Sequence, residues 1–86
     1  MRIAKTKNFL KTYQKLPKFL QKKVDKQIRL LEKNFYYPSL RTKKLEGFED
    51  WWEFRVDYHN RMIGKKIDDL LVLYAVGPHD RGLGKK

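Results

Sequence analysis

Residues 52–62, WEFRVDYHNRM, decide how this chain is read. Trp52, Phe54, Val56 and Tyr58 alternate with Glu53, Arg55 and Asp57, the two-residue period of an extended chain with one face in a core. A half-buried strand requires the first set. Nothing in strand formation requires two arginines, Arg55 and Arg61, bracketing the turn that follows. Register decides whether they meet. A two-residue loop, His59-Asn60, pairs Tyr58 with Arg61 and turns Arg61 onto the apolar face. A three-residue loop, Tyr58 to Asn60, pairs Asp57 with Arg61 and puts Arg55, Asp57 and Arg61 on one open face. The odd-numbered loop is predicted, because the other turns a charge toward the core.

Working outward toward the C-terminus, RMIGKKI (61–67) reads as the returning strand and Asp68-Asp69 as the next turn. The near-continuous apolar run LLVLYAVG (70–77) has the pattern of a central strand buried on both faces, stopped by Gly77-Pro78. HDRGLGKK (79–86) reads as a tail, loose from residue 81 onward. Toward the N-terminus, LRTKKLEGFED (40–50) is polar, contains Gly47 and reads as a connecting segment. In KFLQKKVDKQIRLLEKN (18–34), Leu20, Val24, Ile28 and Leu31 fall within roughly 80° of arc at about 100° per residue. Lys18, Lys22, Lys26, Arg29 and Lys33 fall within a similar arc on nearly the opposite side. Pro38 breaks this helix. Before it, Phe9, Leu10, Tyr13 and Leu16 recur at helical spacing. Thr6 or Asn8 is placed to cap that first helix. Pro17 separates the two helices and suits the first turn of the second. RIAKT (2–6) alternates as a short first strand. The order is β-α-α-β-β-β, an α+β fold: a helical hairpin on one face of a small, mostly antiparallel sheet, with the other face open.

Eighty-six residues make one domain, 1–86, with a single modest core. The chain has no cysteine, which removes disulfides, thiolate metal sites and thiolate nucleophiles. No apolar run approaches the roughly 20 residues that span a bilayer, and the N-terminus lacks the apolar centre of a secretory signal. A cytoplasmic protein follows as the expectation. The formal net charge is +11, and it is uneven. Residues 1–33 carry eleven Lys and Arg against two acids, net +9, and residues 34–86 carry ten against eight, net +2. Such a field favours nucleic acid, an acidic protein partner or an anionic membrane, the first two before the third. Five bases in line on one helix form either a solvated face or a track for phosphates. GLGKK (82–86) lacks the spacing and context of a phosphate loop, and Asp68-Asp69 has no third ligand to make a metal site.

The combination of LPKFLQKKVDKQIRLLEKN (16–34), YPSLRTKKLEG (37–47), WEFRVDYHNRM (52–62) and VGPHD (76–80) resembles the RelE/ParE superfamily of toxins from type II toxin–antitoxin systems, over roughly residues 3–80. The resemblance implies a small basic protein neutralised by a cognate antitoxin, with operator DNA bound through the complex. RelE-type members cleave mRNA on the ribosome without a metal or other cofactor. ParE-type members poison DNA gyrase and lack the nuclease residues. By the resemblance, Arg61 matches the arginine that RelE-like nucleases place early in the third strand, and Arg55 a basic position near the end of the preceding one. His79 and Asp80 match the catalytic positions just after the last strand. Lys43 and Lys44 sit near a segment that supplies charged groups in relatives. Glu53 and Trp51 stand where some members have paired lysines, and no tyrosine follows Asp80.

The residues suit that chemistry on their own terms. Metal-independent RNA cleavage needs a base for the 2′-OH proton, cations on the developing phosphorane and an acid for the leaving 5′-oxygen. Histidine titrates near neutrality, so His79 fits the base or the acid. Arginine stays charged and forks onto phosphate oxygens, which suits Arg55 and Arg61 to transition-state stabilisation. Lys43 and Lys44 fit phosphate contacts, and Lys18, Lys22, Lys26 and Arg29 a longer RNA track. The plainer readings stand beside these: Arg61 in a cross-strand pair with Asp57, His79 paired with Asp80, the lysines as solubility charges, and His59 as a turn residue. The expected function is a ribosome-dependent mRNA endoribonuclease; a gyrase inhibitor or a non-catalytic nucleic-acid-binding relative are the alternatives.

Overall fold

The computed structural model describes residues 1–78. The chain runs β1 (Arg2–Lys5), α1 (Lys7–Gln14), α2 (Lys18–Lys33), a single 3-10 turn (Pro38–Leu40), β2 (Lys43–Lys44), β3 (Trp51–Arg55), β4 (Asn60–Ile67) and β5 (Leu70–Pro78). Among the described residues the strands form one five-stranded sheet in the order β1-β5-β4-β3-β2. β1 lies parallel to β5, and the other neighbours are antiparallel. This is the predicted α+β architecture with one addition. Within the segment read as a connection, Lys43 and Lys44 pair with Glu53 and Trp52 as an edge strand. Two adjacent lysines carry no alternation, so no pattern announces it.

Thr6 is the cap of α1: its Oγ1 accepts the Phe9 N–H at 3.0 Å. Asn8 does something else. Its Nδ2 donates to the Tyr74 carbonyl at 2.9 Å, and the Thr12 hydroxyl accepts the Val76 N–H at 3.1 Å. β1 ends opposite Leu73, so the edge of β5 beyond that point has no strand neighbour. Polar side chains of α1 take its backbone groups instead. α2 starts directly after Pro17, whose carbonyl accepts from Leu20 and Gln21. The Tyr13 hydroxyl donates to Asp25 at 2.8 Å and ties the helices together.

Phe9, Leu20, Val24, Ile28 and Leu31 from the helices meet Phe54, Met62, Leu71, Leu73 and Val76 from the sheet, with Phe35 and Leu40 closing the rim. Both helices lie on this one face. The burial of β5 on both faces predicted from its apolar run is therefore corrected. Leu71, Leu73 and Val76 are buried, but Val72 and Ala75 are half-buried and Tyr74 is exposed. The strand is interior because β1 and β4 flank it, and no described element covers its second face. It also runs one residue past the predicted stop, to Pro78 opposite Asn60. In β4, a Cβ on Gly64 would sit 2.7 Å from the Val72 carbonyl oxygen. That approach, beside the register shift at Ile63/Gly64, admits glycine and little else. Among the described residues no helix is long and apolar enough to cross a membrane.

Candidate nucleic-acid interface

Arg55 and Arg61 are direct partners across the β3–β4 ladder. The next pair inward, Phe54 and Met62, is fully buried under the helices. Alternation then puts both arginines on the uncovered face, together with Trp51, Glu53, Ile63 and Lys65. The predicted parity holds. The predicted length does not: the five residues Val56 to Asn60 intervene, and Asp57 is not paired across the ladder with Arg61. The cause is Asp57 itself. Its Oδ1 accepts the His59 N–H at 3.0 Å, the Asn60 N–H at 2.9 Å and the Asn60 Nδ2 at 3.0 Å. An aspartate that binds its own downstream backbone makes a turn and leaves the ladder. The alternation of the opening stretch accordingly stops at Val56, which is buried, and Tyr58 swings out into solvent.

Each arginine is anchored. Arg61 Nη1 donates to the carbonyls of Asp57 at 2.7 Å, Asn60 at 3.0 Å and Tyr58 at 3.4 Å. It therefore meets the backbone of Asp57 rather than the carboxylate, in place of the ion pair between the two side chains. The carbonyl of Arg55 accepts Gln27 Nε2 at 2.7 Å, and the same nitrogen reaches the Ser39 carbonyl at 3.3 Å. Gln27 is buried on the inner face of α2. The sequence reading passed over it, although it lies seven residues after Leu20 and three after Val24, on the core stripe.

The remaining candidates divide. Lys43 lies opposite Glu53 and so shares the open face with the arginines, whereas Lys44 lies opposite Trp52 and belongs to the other side. Adjacent strand residues cannot both join one site. Lys18, Lys22, Lys26, Arg29 and Lys33 are all exposed on the outer side of α2, with the helix layer and the sheet between them and the arginine pair. The one acid–base contact from α2 to the hairpin among the described residues is Lys23 Nζ to Asp57 Oδ2, at 3.6 Å. His59 is exposed in the loop, its ring 4.8 Å from that of Tyr58. Gly77 of β5 lies opposite Arg61 and Pro78 opposite Asn60. The chain then continues into His79 and Asp80, which lie outside the described residues, as does the predicted loose tail 81–86.

Burial pushes the Asp57 carboxyl up, but the hydrogen bonds from the Asn60 side chain and from the His59 and Asn60 amides, with Lys23 nearby, outweigh it and hold the group below the ordinary carboxylate value. Two steps along the open face from the arginines, Trp51 packs against Tyr74, the rings tilted by 55° with centroids 4.7 Å apart. With Leu45, Phe48 and Ile63 it lines a shallow apolar hollow of about 250 Å³. The face thus offers two arginines and an aromatic surface, with the buried Glu53 carboxylate between them, a combination able to take the phosphates and bases of a single strand.

Compared by sequence, the chain matches no family model and no curated protein. Compared by fold, it is similar to the YoeB/ParE toxin from Agrobacterium tumefaciens, with a TM-score of 0.76 at 16% identity over 92% of this chain and 99% of that one. The archaeal RelE–RelB complex from Pyrococcus horikoshii OT3 gives a TM-score of 0.76 at 24% identity, over 93% and 96% of the two chains. The intact E. coli RelBE toxin–antitoxin complex gives 0.73 at 18% identity, over 93% and 98%. The fold is the one that these solved toxin structures share.

Proposed function

We propose that the protein is a RelE-like toxin of a type II toxin–antitoxin pair, an endoribonuclease that cuts messenger RNA on the ribosome and is held inactive by a cognate antitoxin. One observation carries the reading: Arg55 and Arg61 face each other on the side of the sheet that no described element covers. Two permanent cations kept together at an open surface suit a phosphate that gains charge during reaction. The fold supports the toxin assignment, and the RelE–RelB and RelBE complexes among the similar structures support an antitoxin partner.

In this mechanism the 2′-OH of one nucleotide attacks the adjacent phosphorus, and the P–O5′ bond breaks. The products are a 2′,3′-cyclic phosphate and a 5′-hydroxyl. Arg55 and Arg61 bind the non-bridging oxygens as the phosphorane forms. His79 moves the proton, with Asp80 beside it in sequence to orient the imidazole. Lys43 steadies a neighbouring phosphate. The guanidiniums supply the positive charge, so the scheme calls for no metal or cofactor. The basic outer side of α2, away from the arginine pair, grips ribosomal RNA while the open face reads the message. The protein works in the cytoplasm, and operator DNA is bound through the toxin–antitoxin complex.

Induced expression followed by primer extension on a reporter message tests this. Discrete cuts inside codons are the expected result. A DNA-damage response with intact message would point to gyrase poisoning instead, and normal growth with intact message to a nucleic-acid-binding relative without catalysis.

A further inference from the structure

We propose that Asp57 is the positioning residue for Arg61: the loop it folds pins one corner of the guanidinium and leaves the Nε–Nη2 edge turned out to take an anion. Arg61 starts at a disadvantage. It is a long side chain directly opposite a second arginine, and like charges in that position push each other aside. A bare two-strand ladder would leave it swinging.

The loop prevents this. Three carbonyl oxygens, from Asp57, Tyr58 and Asn60, meet at Arg61 Nη1. They point inward because Asp57 Oδ1 gathers the His59 and Asn60 amides and the Asn60 side chain, which folds the backbone back on itself. The Val56 and Asp57 N–H groups both donate to the Asn60 carbonyl, at 2.9 Å and 3.3 Å, closing the turn from the other side. Val56 and Asn60 are buried, so the loop is seated on the core. Lys23 holds the second carboxylate oxygen from α2. Sequence reading treated Asp57 as a charge partner for Arg61; the structure makes it the organiser of the acceptors that hold Arg61.

Guanidinium has five N–H donors in a rigid plane. Here Nη1 is occupied, and among the described residues Nε and Nη2 have no hydrogen-bond partner. Those two nitrogens form one edge of the fork, with parallel N–H bonds at the spacing of two phosphate oxygens. Lysine has neither the plane nor a second nitrogen to present while the first is anchored. That the anion is an RNA phosphate rests on the function proposed above; the restraint of Arg61 does not.

The test separates the two. Nitrogen-15 NMR of the arginine side chains in the intact protein reports how freely the Arg61 guanidinium turns. A slowly rotating Arg61 is expected in the unsubstituted protein, a freely rotating one in Asp57→Ala, and restored restraint in Asp57→Asn, which keeps the Oδ1 acceptor. On RNA, Asp57→Ala is expected to lower the cleavage rate tenfold or more, Asp57→Asn to lose less, and Asp57→Ala to add nothing in an Arg61→Ala background. An Arg61 that rotates freely in the unsubstituted protein overturns the proposal even if the alanine variant does not fold. So does a loss from Asp57→Ala that persists without Arg61. A protein with a restrained Arg61 that cuts no RNA would retire the nuclease reading and leave the positioning intact.

Discussion

Arg55 and Arg61 stand directly opposite one another in the β3–β4 ladder, both on the uncovered face. Side chains so placed have Cβ atoms about 4.5–5.5 Å apart, and like charges there are destabilising. Taken alone, the pair opposes the stability of the hairpin, and the Glu53 carboxylate one step along the same face supplies a counter-charge. Arg55→Thr is predicted to raise stability by up to about 1 kcal/mol at low salt, with the gain shrinking as salt screens the pair. Denaturant unfolding at two ionic strengths measures both, and a net loss at low salt would show that attraction to Glu53 outweighs the repulsion within the pair. Arg61 is the less suitable site for this measurement, because its removal also strips a donor from three loop carbonyls.

The edge of β3 beyond β2 depends on a single buried amide. β2 reaches only as far as Glu53, and the Arg55 carbonyl past that point accepts from Gln27. Gln27→Met keeps the volume and removes the donor from the Arg55 and Ser39 carbonyls. Leaving such groups unsatisfied costs about 1–3 kcal/mol, which is the predicted loss in thermal or denaturant unfolding. Arg55 should also bind RNA more weakly in this variant, since its backbone anchor is gone. A variant as stable as the parent would mean that the two carbonyls find other partners.

The acid dependence of the hairpin follows from Asp57. Its carboxyl titrates below the ordinary value in the folded chain. The ionised form therefore stabilises the fold above the unfolded value of about 3.9, and that contribution is lost as pH falls through the lower folded value. Amide exchange at His59 and Asn60 is predicted to lose protection below about pH 4, beyond the change in intrinsic rate. Asp57→Asn should flatten that dependence. Equal pH profiles for the two proteins would contradict the assignment.

The basic side of α2 and the arginine pair are on opposite sides of the molecule, so they should respond to substitution separately. Replacing Lys22, Lys26 and Arg29 by glutamine is predicted to weaken ribosome binding and lower the slope of log affinity against log salt by roughly 2. Affinity for a short single-stranded RNA should change little. If both affinities fall together, the two surfaces act as one and the division of labour is wrong.

Much of this was legible in the letters. The period of 3.6 in Leu20, Val24, Ile28 and Leu31 reports a single buried face, and the structure buries it. The period of two in Trp52, Glu53, Phe54 and Arg55 places Phe54 correctly in the core, but Trp52 is half-buried and Glu53, on the polar face, is buried as well. The parity of the hairpin loop was legible too, because an even loop would have driven Arg61 into the core. The loop's length was not, since it is set by three hydrogen bonds to one oxygen of Asp57 rather than by any hydrophobic pattern. β2 was missed because Lys43 and Lys44 are too short and too polar to alternate. Gln27 was missed because its partners are backbone carbonyls of Arg55 and Ser39, which every residue has. The open second face of β5 was misread because an apolar run states what tolerates burial, not what covers it.

The central claim is that the paired guanidiniums serve RNA cleavage, and purified protein added to ribosomes carrying a defined message tests it most directly. The account predicts a cut within a codon, leaving a 2′,3′-cyclic phosphate upstream and a 5′-hydroxyl downstream, and the loss of that cut in Arg55→Ala and Arg61→Ala proteins that remain folded. Intact message with the unsubstituted protein, or cutting that persists undiminished without both arginines, would contradict it.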